Sequence, residues 1–360
     1  MTDSGSDPAP GPETIAARWT RLNGRPAGFD YMRLVLATLV LLAHSYQVTY
    51  GTEASFALWH GPAGLGLQMI LPMFFSLSGF LVCGSLERTP NLRKFLTLRI
   101  IRIYPALCVE VFVSGVLIGP LVTVLPVGDY FSSHVFYEYW FNTVGYIHYI
   151  LPGVFQDNPF QNVVNASLWT VPYELECYAA LSLLVLIGFR RSLVISAIMF
   201  AACTVVVIGV LQYTGDTGIR PGGTYGRVLV LCFLAGTLLF RMRDHLPYSA
   251  PFAMAAAVLG MVLLRLEYLY CIAPLFVAYL TVWLGMLNPR RSIVISSGDY
   301  SYGIYLYAGP IQQSVVWALG PANSFLANAA LSIPITAAFA MLSWHLVEKP
   351  FLKVKRYLVR

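Results

Sequence analysis

A chain of 360 residues with 57% apolar and only 11% charged side chains, at a mean hydropathy of +0.66, lies outside the range of soluble domains, which carry nearer a quarter charged. A net charge of +6 suggests nucleic acid until its distribution is read: the basic residues stand in short clusters between apolar runs, as in the cytoplasmic loops of a membrane protein. Six cysteines (Cys83, Cys108, Cys177, Cys203, Cys232, Cys271) are scattered through apolar runs without CxxC spacing, which reads as small core residues and gives no metal framework.

In chain order, residues 1–28 are polar and rich in Pro, Gly and Ser, with Arg18, Arg21 and Arg25 near the end. They lack a short apolar core followed by a small-residue cleavage site, so a disordered cytoplasmic tail is expected rather than a signal peptide. Ten apolar segments of roughly spanning length follow, at 30–50, 66–86, 101–124, 169–189, 192–212, 226–240, 249–265, 268–287, 300–319 and 325–347. With the N-terminus inside, 20 of the 23 Lys and Arg fall on the cytoplasmic side, leaving Arg220, Arg227 and Arg265 opposite. The expected fold is therefore all-α: a polytopic membrane protein of about ten transmembrane helices, both termini cytoplasmic. Its membrane domain spans 29–350, and a basic cytoplasmic tail covers 351–360.

The first segment, FDYMRLVLATLVLLAHSYQV at 29–48, carries Arg33 and His44 eleven residues apart. On a helix that separation is three turns plus about 20°, so both leave one face about 16 Å apart. An ionisable group at that depth costs several kcal/mol unless it faces protein or a watery cavity, which marks the pair as a candidate site. FFSLSGFL, 74–81, sets Ser78 and Gly79 mid-segment, where small residues permit close helix packing. In RIIR, 99–102, Arg99 and Arg102 share a face at the cytoplasmic start of the third segment, either as a positive-inside anchor or as a clamp for phosphates.

The stretch from Tyr130 to Phe155 is dense in aromatics, and an eleventh span there would throw every later basic loop outside. It reads as interfacial or extracytoplasmic, either a belt at the headgroups or a stacking surface for sugar rings. SLWTVPYELECY, 167–178, begins the fourth span near Thr170, since Pro172 is tolerated only in a first helical turn. Glu174 and Glu176 point about 200° apart, so only one can face a given site. Glu174 and His44 both fall in the outer half of the membrane, where a carboxylate can orient an imidazole or merely satisfy helix amides. In GDYSYGIYLYAGPIQQ, 298–313, Ser301, Tyr302 and Tyr305 share a face that lines a polar path or anchors the interface.

These segments, in this order and ending in VEKP at 347–350, resemble the acyltransferase-3 family of bacterial membrane proteins over essentially the whole chain after residue 28. Each motif alone is weak; six in order are specific. The resemblance implies transfer of an acyl group, commonly acetyl, from cytoplasmic acyl-CoA to a hydroxyl of an extracytoplasmic or lipid-linked carbohydrate, in the bacterial inner membrane. Acetyl-CoA is then a donor substrate, and no bound cofactor, metal or nucleic acid is implied. The family's arginine–ten–histidine pattern falls on Arg33 and His44. Its arginine pair falls on Arg99 and Arg102, which would serve the acyl-CoA with Arg33. Its acidic residue five after a tryptophan falls on Glu174, counted from Trp169. His44 and Glu174 are then the expected catalytic residues, and Ser78, Trp169, Tyr173, Ser301, Tyr302 and Tyr305 the expected substrate path. One departure is Ala308, where the family often has a histidine. A glycan transporter or flippase is the rival reading, since it too buries charges among many spans, but it would not bind CoA esters. A membrane scaffold explains the hydrophobicity but not the aligned Arg33–His44 pair.

Overall fold

The computed structural model describes residues 13–89, 91–215 and 226–358, and these are all-helical, with two isolated β-bridges and no strand. Each of the ten apolar segments falls on a helix. In order these are α2 (Ala27–His60), α3 (Ile70–Arg88), α4 (Leu92–Phe112), α5 (Val171–Leu186), α6 (Leu193–Thr214), α7 (Gly226–Met242), α8 (Ala250–Leu263), α9 (Ala273–Gly285), α10 (Ser301–Leu319) and α11 (Phe325–Ser343). A short helix α1 (Ile15–Arg21) precedes them and α12 (Lys349–Leu358) follows. Among the described residues, five helical stretches are long and apolar enough to cross a membrane: Ala27–His60, Gly64–Arg88, Leu92–Val122, Leu193–Thr214 and Phe325–Lys353.

The boundaries follow from local chemistry. The side chains of Asn91, Ser192 and Ser324 accept the first free amides of α4, α6 and α11. Pro172 sits in the first turn of α5, as its missing N–H requires. In α2 the helix breaks at Gly51, whose φ of 82° lies in the left-handed region open to glycine. Downstream of Pro105, α4 widens into a π-helical turn at Val113–Ile118.

Two helices define inside and outside. Nearly every residue of α7 is buried, the signature of a helix apolar all round at the centre of a bundle. Conversely α6 is just as apolar yet turns Val194, Ile198, Val205 and Val206 outward, each more than 60% exposed. Water would not tolerate such a face, whereas lipid would. The central seam is α3 against α7, and glycine makes it close: a Cβ on Gly79 would run into the Phe233 carbonyl, and one on Gly236 into that of Ser76. Gly79→Ala is therefore expected to push the two helices apart and lower stability in detergent by about 1–3 kcal/mol. A thermal unfolding midpoint unchanged from wild type would show that the seam has slack.

Three expectations are modified. Part of the tail thought disordered is ordered: Ile15 is fully buried in α1, and Trp19 packs edge-on against Phe29, Phe80 and Phe240. Residues 1–12 lie outside the described residues. The aromatic stretch folds into short helices at Val127–Ser132, His134–Tyr139 and Trp140–Val144. Tyr130, Phe136 and Tyr139 are buried there, with the Tyr130 hydroxyl donating to the Gly115 carbonyl at 2.7 Å. Three of its rings thus pack the π-helical turn, while Tyr137, Phe141 and Tyr146 remain exposed. Of the cysteines, Cys83, Cys177, Cys232 and Cys271 are core residues, but Cys108 is exposed.

Candidate active site

The N-terminal turn of α10 and the motifs of α2 to α5 converge on one cavity of about 430 Å³, within the usual size of ligand sites. Arg33 enters from α2, Ser78, Ser85 and Arg88 from α3, and Arg99 and Arg102 from α4. Thr170, Glu174 and Tyr178 come from α5 and the turn before it, and Ser301, Tyr302 and Tyr305 from α10. Of the expected path, Ser78, Ser301, Tyr302 and Tyr305 line this space. Trp169 and Tyr173 do not; their rings meet each other edge-on at 5.8 Å, and Tyr173 packs where Gly226 leaves room.

The arginines are not equivalent. Arg102 donates to Asp299 at 2.6 Å and to Glu348 at 3.0 Å, and Arg33 reaches the same Asp299 oxygen at 3.3 Å. Burial opposes ionisation of Asp299, but Arg102 and then Arg33 outweigh it and hold the carboxyl at about 2. Two of the three arginines expected to hold phosphates are thus neutralised by carboxylates that sequence reasoning had not singled out. The available signals were Asp299 in GDYSYG and Glu348 in VEKP, acids at the level of the arginines. Arg99 differs. It lies over the Phe95 ring, reaches only the Ser85 hydroxyl at 3.4 Å, and its Nε is buried without a hydrogen bond. Neither Arg99 nor Arg88 has an ion pair among the described residues, and Arg88 is exposed at the rim.

Glu174 accepts the Tyr178 hydroxyl at 2.7 Å, one turn along α5, and shares the cavity with Arg102, Arg99 and Arg33. His44 borders a different space: a pocket of 10 Å³ shared with Gln47, Gln312 and Gln313. The expected Glu174–His44 contact is not formed; the imidazole Nδ1 meets Ser167 Oγ at 3.1 Å instead. Between the two spaces stand Thr170 and Tyr305, whose hydroxyls share a hydrogen bond at 2.7 Å, so that one of them at a time donates to the Ser167 carbonyl.

Behind Ser167 lies a buried polar network that the sequence reading missed. Asn165 Oδ1 caps the Ser167 amide at 3.1 Å, and its Nδ2 donates to Glu110 Oε1 at 2.9 Å and the Leu306 carbonyl at 2.8 Å. Glu110, fully buried in α4, also accepts the Ser114 hydroxyl at 2.9 Å. An acid eight residues beyond Arg102, deep in an apolar run, was the legible signal. Gly309 leaves the room Asn165 needs, since a Cβ there would sit 2.6 Å from Oδ1. Gln313 ties the preceding loop to α10 through the Phe160 and Val163 carbonyls, both at 2.7 Å.

The chain is similar to a protein named O-acetyl transferase from Shigella phage Sf6, 27% identical over 90% of this chain and 95% of the relative. It is also similar to nodulation protein 10 of Rhizobium leguminosarum bv. viciae, 26% identical over 94% of this chain and 96% of the relative. No solved structure matches. A family model described as an acyltransferase domain matches residues 27–345. The chain therefore belongs to this acyltransferase family and is an enzyme that transfers acyl groups other than amino-acyl groups.

Proposed function

We propose that the protein is an integral-membrane O-acetyltransferase that takes acetyl from cytoplasmic acetyl-CoA and delivers it to a hydroxyl of an extracytoplasmic or lipid-linked carbohydrate. The observation that carries this reading is a cavity with uncommitted guanidinium groups at its rim and hydroxyls at its inner end. Arg99 and Arg88 would hold the CoA phosphates, because guanidinium forks match phosphate oxygens and these two have no carboxylate to release first. Arg33 and Arg102, pinned by Asp299 and Glu348, would shape the wall and lend positive potential. The pantetheine arm would run past Ser78 and Tyr302 toward Thr170 and Tyr305. Glu174 would sit at the acyl end of this path, and His44 would be the acid–base group of the transfer. The relative named O-acetyl transferase supports the choice of acetyl and of an oxygen acceptor. The ten helices and the distribution of basic residues support ten spans with both termini cytoplasmic, in a bacterial inner membrane.

Titration of the purified protein with acetyl-CoA tests the donor. Saturable binding is expected, weakened about tenfold or more in Arg99→Ala/Arg88→Ala, since each lost charge-assisted hydrogen bond removes about 1.5–3 kcal/mol in a desolvated site. Binding unaffected by the double change would move the phosphates elsewhere. Absence of any binding would favour a transporter of the glycan.

A further inference from the structure

We propose that Ser167 carries the acyl group in transit, as the nucleophile of a Ser167–His44 pair. This rests on the acyl-transfer reading above and adds to it a covalent intermediate. A serine and a base within hydrogen-bond reach, with both held from behind, is the arrangement that activates a hydroxyl. Ser167 Oγ is 3.1 Å from His44 Nδ1. Either atom can donate, according to the imidazole tautomer; with the ring proton on Nε2, Nδ1 accepts the one hydrogen that the Ser167 hydroxyl has to give. The rest of Ser167 is committed: its N–H donates to Asn165, and its carbonyl accepts from the hydrogen-bonded Tyr305–Thr170 hydroxyl pair. Asn165 is itself fixed by Glu110 on α4 and Leu306 on α10, so the residue is held from three directions.

Position argues the same way. Thr170 and Tyr305 line the donor cavity; Ala166 and His44 line the small pocket. Ser167 stands in the wall between them, only 1% exposed, and the thioester reaches Oγ when the Thr170 and Tyr305 hydroxyls part. On the far side, Gln312 is fully buried with Nε2 donating to the Leu41 carbonyl and Ser45 Oγ, both at 2.6 Å. That fixes its amide orientation and leaves Oε1 without a partner, in the wall of the pocket that His44 borders. A carbonyl oxygen there suits a ring that gains a proton during the reaction.

The chemistry balances without a further reactant. Ser167 Oγ adds to the thioester carbonyl carbon, its proton passes to His44 Nδ1, and the C–S bond breaks. The CoA thiolate takes the proton from His44 and leaves as thiol. In the second half, the acceptor hydroxyl attacks the acyl-serine ester and gives its proton to His44. The bond from Oγ to the acyl carbon then breaks, and His44 returns the proton to Oγ.

The test incubates the purified full chain in detergent with radiolabelled acetyl-CoA and no acceptor, then maps retained label by mass spectrometry. An acetyl ester on Ser167 is expected in the wild type. Ser167→Ala should lose the label and release CoA about 10²-fold more slowly or worse. Ser167→Cys should form a thioester cleaved by hydroxylamine, a readout that a purely structural serine would not give. Three results would overturn the relay: Ser167→Ala keeping more than about a tenth of wild-type CoA release, label on His44, or folded Ser167→Cys without label. Active Ser167→Ala beside active wild type sinks the relay and leaves the acyl-transfer reading standing. A wild type that neither binds acetyl-CoA nor releases CoA sinks that reading, and the relay with it.

Discussion

His44→Ala is expected to slow acyl transfer by about 10²–10⁴-fold, the range general acid–base groups contribute. Folding should survive, because the change leaves a single buried hydroxyl, that of Ser167, without its partner, at a cost of about 1–3 kcal/mol. CoA release from acetyl-CoA, compared with the unfolding midpoint of the same preparation, separates the two effects. His44→Ala retaining more than about a tenth of the wild-type rate would remove the imidazole from the chemistry. The reason to expect a large effect is the surroundings. His44 lies in the interior of α2 beside the small pocket, and its Nδ1 is engaged by a hydroxyl that the chain goes to some length to hold. Inert histidines on apolar helices do not need Asn165, Glu110 and Gly309 arranged behind their partner.

Arg102→Leu is expected to be the most destabilising single change at the arginine-lined end of the cavity, by about 3–5 kcal/mol. The guanidinium bridges α4 to Asp299 before α10 and to Glu348 beyond α11, so one substitution strands two acids. Glu348, 2% exposed, keeps only the Ser343 hydroxyl at 3.3 Å, while Asp299 falls back on Arg33. Thermal unfolding in detergent reads this directly. Asp299 also sets a pH signature. Its carboxyl is held at about 2 against an ordinary 3.8, so its contribution is complete above 3.8 and disappears as pH falls toward 2. The part of the gap between Arg102→Leu and wild type that Asp299 supplies should narrow as pH falls from about 4 toward 2. Arg99→Leu should show the opposite balance, with a stability change within about 1 kcal/mol, since Arg99 holds no acid, but weak acetyl-CoA binding. Equal destabilisation by both changes would mean that the two arginines share one role.

The two arginines illustrate how much of the site was legible. Spacing alone put Arg99 and Arg102 on one helix face, the family resemblance added Arg33, and all three line one cavity. Their division of labour was not legible, because it depends on where Asp299 and Glu348 arrive from nearly 200 and 250 residues away. Ser78 and Gly79 show the same limit from another side. Small residues at that depth signal close packing, and Gly79 indeed sits on the Phe233 carbonyl, yet its neighbour Ser78 faces the cavity. Glu174 is the misjudged residue. Helical rise speaks to depth along a helix but does not fix azimuth, and its carboxylate turns to Tyr178 while Ser167 takes the imidazole.

By itself the sequence determined the helical class, the ten apolar segments that fall on helices and the residues with a reason to be inside. All of these follow from hydropathy, helical period and the cost of burying charge, which are local or one-dimensional properties. Only the tertiary structure decided which buried groups meet. Arg102 with Asp299 and Glu348, Ser167 with His44, and Asn165 with Glu110 are contacts between distant segments. A buried polar group must find a partner, but the chain does not name that partner until the helices have packed.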